Sequence, residues 1–177
     1  MSKLRLATVW LDGCSGCHMS LLDMDERLVD IAEKVEVVYS PLVDSKEFPE
    51  DVDITLVEGA VGSVEDEEKI KMIRRRTKTL VSLGDCAVTG NVPSMRNTCG
   101  PKAVLERLYL ENVTIQPQIP SEGVPALRSR VCPVREVVKV DVFVPGCPPS
   151  ADTIHLLLAG LLSGSVPDVR LLTRFGA

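Results

Sequence analysis

Four cysteines of this chain stand in a common setting. Cys14 and Cys17 lie in Asp12-Gly13-Cys14-Ser15-Gly16-Cys17-His18, Cys86 in Gly84-Asp85-Cys86-Ala87, and Cys147 in Pro145-Gly146-Cys147-Pro148-Pro149. Each stretch follows an apolar run. Three chemistries use thiols of this kind. A 4Fe–4S cube takes four thiolates, commonly a close pair plus ligands from elsewhere in the chain. Its negative charge is offset by backbone N–H donors, so ligand loops tend to be glycine-rich, and Gly13, Gly16, Gly84 and Gly146 meet that need. Pro145, Pro148 and Pro149 donate no N–H and would serve to fix loop shape. Structural zinc also takes four thiolates, usually from two short C-x-x-C knuckles, whereas this chain has one pair and two single cysteines. A thiol–disulfide exchange pair needs only Cys14 and Cys17 after a strand, which leaves Cys86 and Cys147 without a role. The cube accounts for all four.

Cys99 and Cys132 read as small buried hydrophobes. His18 adjoins Cys17 and reads either as a polar neighbour with a local hydrogen bond or as a donor to the cluster or to a neighbouring subunit. His155, in an apolar helix with no partner at ligand spacing, reads as structural. Glu58, at a strand end, is expected to lie against the cluster or a partner.

The elements that must position these residues alternate in period. Residues 4–11, 35–39, 52–57, 79–83 and 137–144 read as strands. Residues 19–34 read as a helix, with Leu21, Met24, Leu28 and Ile31 on one stripe. A second helix is expected over 64–76, capped by Ser63, its acidic residues first and its basic residues last to suit the helix dipole. A third follows Ser150 through residue 162. Residues 87–133, interrupted by six prolines, read as a loop-rich insertion with one helix at 103–110, and residues 166–177 as an extended tail. Long loops inside a compact domain are usually functional, so the insertion is expected to cover the metal site or face a partner. Strands alternating with helices imply a parallel sheet with right-handed crossovers, and sites in such sheets form outside the carboxyl ends of the strands. That rule collects Cys14, Cys17, Cys86, Cys147 and Glu58 along one edge.

The bulk properties bound the rest. A chain of 177 residues fits one domain, 1–177. Hydrophobic residues make up 45% and aromatics only 3%, so the core must be aliphatic. A net charge of −5 argues against binding nucleic acid through phosphate neutralisation. No apolar stretch is long enough to span a bilayer, and the N-terminus shows neither a signal-peptide core nor a twin-arginine signal. The expected location is the cytoplasm, where cysteines serve metals or catalysis more often than disulfides.

Taken in order, Cys14-Ser15-Gly16-Cys17, Glu58-Gly59, Gly84-Asp85-Cys86-Ala87-Val88-Thr89-Gly90 and Pro145-Gly146-Cys147-Pro148-Pro149 resemble the small subunit of nickel–iron hydrogenases. The resemblance runs over nearly the whole chain. It implies an α/β, flavodoxin-like three-layer sandwich with a five-stranded parallel sheet of order 2-1-3-4-5. It also implies that Cys14, Cys17, Cys86 and Cys147 hold one 4Fe–4S cluster beside a large subunit that carries the nickel–iron centre. Longer relatives continue into a region with two more clusters. Here no cysteine and only one histidine follow Cys147. With no export signal either, the pattern is similar to the small subunit of soluble, cytoplasmic NAD-reducing hydrogenases, whose cluster passes electrons to a diaphorase module with flavin and further iron–sulfur centres. The chain also resembles the cluster-bearing subunit at the quinone site of respiratory complex I. Those proteins have two adjacent cysteines where this chain has Cys14-x-x-Cys17, and this reading ranks second.

Overall fold

The computed structural model describes residues 3–169 and 172–173. Five parallel strands build the central sheet: β1 (Leu4–Trp10), β2 (Val35–Tyr39), β3 (Val52–Glu58), β5 (Thr77–Leu83) and β7 (Val142–Val144), in the order β2-β1-β3-β5-β7. Counting these five alone, the order is 2-1-3-4-5, as expected. A short antiparallel pair, β4 (Val61–Ser63) with β6 (Leu127–Cys132), lies apart from the main sheet.

The strand period of two divides the core. Leu6, Ile54, Leu56, Val81, Leu83 and Val144 pack on one face against α1 (Gly16–Leu22), α2 (Arg27–Lys34) and α6 (Ala151–Leu162), through Leu21, Met24, Ile31, Ile154, Leu157 and Leu158. Ala7, Val9, Val57 and Leu80 pack on the other against Ile70 and Ile73 of α3 (Val64–Arg76) and Ala87 of α4 (Asp85–Thr89). The result is three layers, helix, sheet and helix. Ser63 caps α3 as expected: its Oγ accepts the Asp66 N–H at 3.0 Å while Asp66 Oδ2 accepts the Ser63 N–H at 2.9 Å, a reciprocal capping box.

The structure departs from the sequence pattern in several places. The helix expected over 19–34 is two helices, broken at Asp23–Glu26, where Asp25 takes φ 51°. The apolar stripe survives because both pieces face the same side of the sheet. The strand expected over 137–144 is short: Val134–Glu136 forms a 3-10 turn and only Val142–Val144 pairs with β5. Val134 is buried and Val137, Val138 and Val140 pack against the second core face, so the valine run is apolar for packing rather than for strand pairing. The stretch 87–133 holds more than one helix: a 3-10 helix at Val92–Thr98, α5 (Gly100–Glu106) running into a π turn at Arg107–Glu111, and β6. Of the tail expected over 166–177, Val169 is buried and the Leu172 carbonyl accepts the Thr153 hydroxyl at 3.0 Å; residues 170–171 and 174–177 lie outside the described residues.

Candidate metal centre

Each of the four cysteines lies in the segment that follows a strand of the main sheet: Cys14 and Cys17 after β1, Cys86 after β5 and Cys147 after β7. After β1, Asp12 and Ala60 exchange backbone hydrogen bonds at 3.0 and 2.7 Å, which pins the start of the first loop to the end of β3. Trp10 Nε1 donates to the Gly13 carbonyl at 3.1 Å. Gly13 is needed for close approach, since a Cβ there would stand 3.0 Å from Gly59 Cα. Ser15 then turns the chain in a left-handed conformation, φ 67°, into α1, with Cys17 in its first turn. The Gly16 N–H donates to Cys14 Sγ at 3.4 Å, the kind of backbone donor that a cluster thiolate uses.

After β5 and β7 the loops hold each other. The Asp85 N–H donates to the Gly146 carbonyl at 2.8 Å, the Gly146 N–H donates to Asp85 Oδ1 at 2.7 Å, and the Gly84 N–H donates to the Val144 carbonyl at 2.8 Å. Asp85 is buried, so a carboxylate under the surface fastens the Cys86 turn to the Cys147 turn. Gly84 has φ 83°, and a Cβ on it would lie 2.2 Å from Cys17 Sγ; only glycine lets the Cys17 turn and the Cys86 turn meet. Ser20 Oγ on α1 donates to the Pro149 carbonyl at 2.6 Å, and Asn91 Nδ2 lies 3.5 Å from Cys147 Sγ.

The four thiols meet around one small cavity of about 60 Å³, whose wall also includes Glu58 and Asp85. Cys14, Cys86 and Cys147 line in addition a wider cavity of about 300 Å³, with Val92 and Pro93 on its far side. Cys17 is buried at the floor, Cys86 is half-buried, and Cys14 and Cys147 are exposed. Burial first, then Glu58 and the other three thiols, push the Cys17 thiol far above its ordinary range. Burial, Cys14, Cys147 and Glu58 push Cys86 up to about 11. Four thiolates so close are stable only if something cationic stands among them, and coordination to metal removes the proton outright. Among the described residues, no three His, Cys, Asp or Glu side chains close on a point as ligands of a single ion would. The four sulfurs line one cavity, a donor set that fits a cube with iron at its corners.

Glu58 is 2% exposed and carries a partner that sequence spacing did not suggest: its Oε2 accepts the His18 N–H at 2.9 Å and lies 2.5 Å from His18 Nδ1. His18 is buried, and its bond runs to a residue 40 positions away rather than to a local group. Asp85 and Asn91 were also missed. Asp85 sits inside the Gly-Asp-Cys motif, and its position before a strand-end cysteine was the available signal. Cys132 is buried as expected, with Arg128 Nη1 2.8 Å from its sulfur, but Cys99 is exposed at the start of α5, contrary to expectation. His155 is half-buried on α6.

Comparison with known proteins bears on this arrangement. Residues 14–161 match the family model of the NADH ubiquinone oxidoreductase 20 Kd subunit. The chain is 42% identical to the NAD-reducing hydrogenase HoxS subunit delta of Cupriavidus necator over 94% of its own length and 82% of that protein. It is 40% identical to a subunit of the F420-non-reducing hydrogenase of Methanothermobacter marburgensis, over 92% of its own length. It spans only 54% of that relative, about half. Among solved structures, a chain of an NAD+-reducing [NiFe]-hydrogenase in the H2-reduced state superposes with a TM-score of 0.94 at 38% identity, covering 98% of this chain and 99% of that one. A [NiFeSe]-hydrogenase chain at 20% identity, TM-score 0.62, shares the fold. The chain belongs to the family of the NADH ubiquinone oxidoreductase 20 Kd subunit. Within that family it is similar to hydrogenase subunits, among them that of an NAD-reducing [NiFe] enzyme.

Proposed function

We propose that Cys14, Cys17, Cys86 and Cys147 hold a single 4Fe–4S cluster, and that the chain is the electron-relay subunit of a cytoplasmic nickel–iron hydrogenase. The observation that carries this reading is the four thiols lining one cavity at the carboxyl rim of the sheet, buried on one side and open on the other. When bound, such a cluster accepts and releases one electron at a time. Cys17 and Gly84 are buried and form the inner side of the site. The Gly16 N–H and the Asn91 amide lie against the sulfurs of Cys14 and Cys147. Cys14 and Cys147 stand at the surface, where a large subunit carrying the nickel–iron centre can dock. Exposed Val92 and Met95 near the wider cavity favour the same face, and the stretch 87–133 is then a partner-facing insertion in one iron–sulfur unit, 1–177. The relatives named for NAD reduction support a diaphorase partner with flavin as the further acceptor. No helix among the described residues is long and apolar enough to cross a membrane.

Protein purified without oxygen should be brown and carry about four iron and four labile sulfide per chain. One zinc and no sulfide would point instead to a structural zinc module with four cysteine ligands. In the assembled complex, Cys86→Ser should abolish H2-dependent NAD reduction; full activity in that variant would end the relay reading. Activity with a quinone and none with H2 would favour the complex I-like alternative, which the family model's description keeps open.

A further inference from the structure

The site is backed by a buried line of polar groups that ligation does not require. Glu58 Oε2 meets His18 at both its backbone N–H and Nδ1. His18 Nε2 is 3.0 Å from Thr8 Oγ1, the Thr8 hydroxyl donates to Ser40 Oγ at 2.7 Å, and Ser40 Oγ accepts the Leu42 N–H at 3.2 Å. All four residues are at most 5% exposed. The line starts at the wall of the cysteine cavity, passes the beginning of α1 and the middle of β1, and ends beyond β2. There Thr8 and Ser40 are polar members of an otherwise aliphatic cavity of about 260 Å³.

Four buried polar side chains in a row are an expensive way to fill a core. Apolar residues of similar volume do so at no desolvation cost, whereas a half-broken network is worse than none. The geometry shows what the line holds. One carboxylate oxygen of Glu58 grips the turn that carries Cys17. The other, Oε1, lies 3.7 Å from where a Cβ of Gly13 would stand, against the loop that carries Cys14. Glu58 therefore sits between the two cysteines of the pair. His18 is kept in one orientation by Thr8, and Thr8 by Ser40.

We propose that Glu58 is the positioning residue of the Cys14–Cys17 pair, and that His18, Thr8 and Ser40 brace it, so that the second edge of the sheet bears on the geometry of the cluster. This rests on the cluster reading for its electronic consequence but not for its mechanical one, and the two are read separately. In the metal-free chain, Glu58→Ala should show a rate of Cys17 alkylation about tenfold or more above that of Glu58→Gln, because a lost buried hydrogen bond opens the turn more often. Glu58→Gln removes the same negative charge from beside Cys17 but keeps an amide oxygen that accepts the His18 N–H, so the two variants differ in the hydrogen bond and not in charge. In the iron-loaded protein, Thr8→Val touches no cysteine and keeps the side-chain volume. It should leave iron content unchanged but alter the electron paramagnetic resonance line shape and the reduction potential of the reduced cluster. Equal alkylation rates in Glu58→Ala and Glu58→Gln, or a native spectrum and potential in Thr8→Val, would overturn the proposal. Iron-free wild-type protein with the alkylation pattern intact would instead overturn the cluster reading alone. Should Glu58→Ala fail to fold, Thr8→Val, which leaves the charge beside Cys17 in place, is alkylated instead: a rate above the native one is expected, and an unchanged rate would overturn the proposal.

Discussion

The two rims of the central sheet use the same chemical group in opposite ways. At the amino rim, Asp53 accepts the Arg5 N–H at 2.8 Å and the Lys78 ammonium at 2.7 Å, and Asp141 accepts the Leu80 N–H at 2.9 Å and the Arg74 guanidinium at 2.5 Å. Both carboxylates tie neighbouring strands together, and both are partly in water. At the carboxyl rim, Glu58 and Asp85 also accept backbone N–H groups, but from the first turn of α1 and from the Gly146 loop rather than from strands, and they do so under the surface. Water can stand in for a hydrogen bond broken at the first rim. At the second, removing the acceptor leaves a dry donor behind. The amino rim holds the scaffold redundantly, while the carboxyl rim holds the site with a few irreplaceable hydrogen bonds.

That contrast ranks the expected effects of substitution. The largest is at the thiols: Cys86→Ser should reduce iron from about four per chain to nearly none, measured by metal analysis. Next comes Asp85→Ala, which strands the Gly146 N–H. Urea unfolding should show a loss of about 2–3 kcal/mol, and Asp85→Asn, which keeps an acceptor oxygen, should lose less. Gly84→Ala follows, at about 1–3 kcal/mol from the forced backbone conformation, and it should displace Cys17 and lower cluster occupancy as well. Equal losses from Asp85→Ala and its amino-rim counterpart would break the comparison.

The smallest effect is at Asp141. Burial works to raise its pKa, but the Leu80 N–H, with Arg74, outweighs burial and holds the carboxyl below the usual carboxylate range. A lowered folded-state pKa contributes stability above the unfolded value, and that stability is lost as pH falls through the folded one. Asp141→Asn should therefore cost about 1 kcal/mol near neutral pH, where solvent screens the ion pair. The difference from the native chain should begin to shrink as pH falls below about 4 and vanish only below the lowered folded-state pKa. An unfolding series across pH would show the two curves converging, and a constant gap would mean that the charge does nothing.

What the sequence made legible follows from what is local. Strand–loop–cysteine order is written in consecutive residues, and the parallel-sheet rule then collects the four thiols at one rim. Ser63 and its helix were equally readable, because a capping box is a short, consecutive signal. The break at Asp25 was not, since the apolar stripe of Leu21, Met24, Leu28 and Ile31 continues across it. The β4–β6 pair was hidden because its partners lie far apart in the chain and neither strand alternates cleanly. The valines at 137, 138 and 140 have strand composition but pack outside the sheet ladder. Least visible was the Glu58–His18–Thr8–Ser40 line: each member is unremarkable in its own segment, and only the folding of β1 beside β3 joins them.

The shortness of β7 has a consequence for biosynthesis. As the chain leaves the ribosome, Cys14, Cys17 and Cys86 are all available long before Val142–Val144 emerges to pair with the sheet. The Gly146 groups that clasp Asp85, and Cys147 itself, arrive only after that three-residue strand. The four-thiol site is therefore closed by the smallest piece of the sheet, and until that strand docks the other three thiols of the site stand open in a nascent chain.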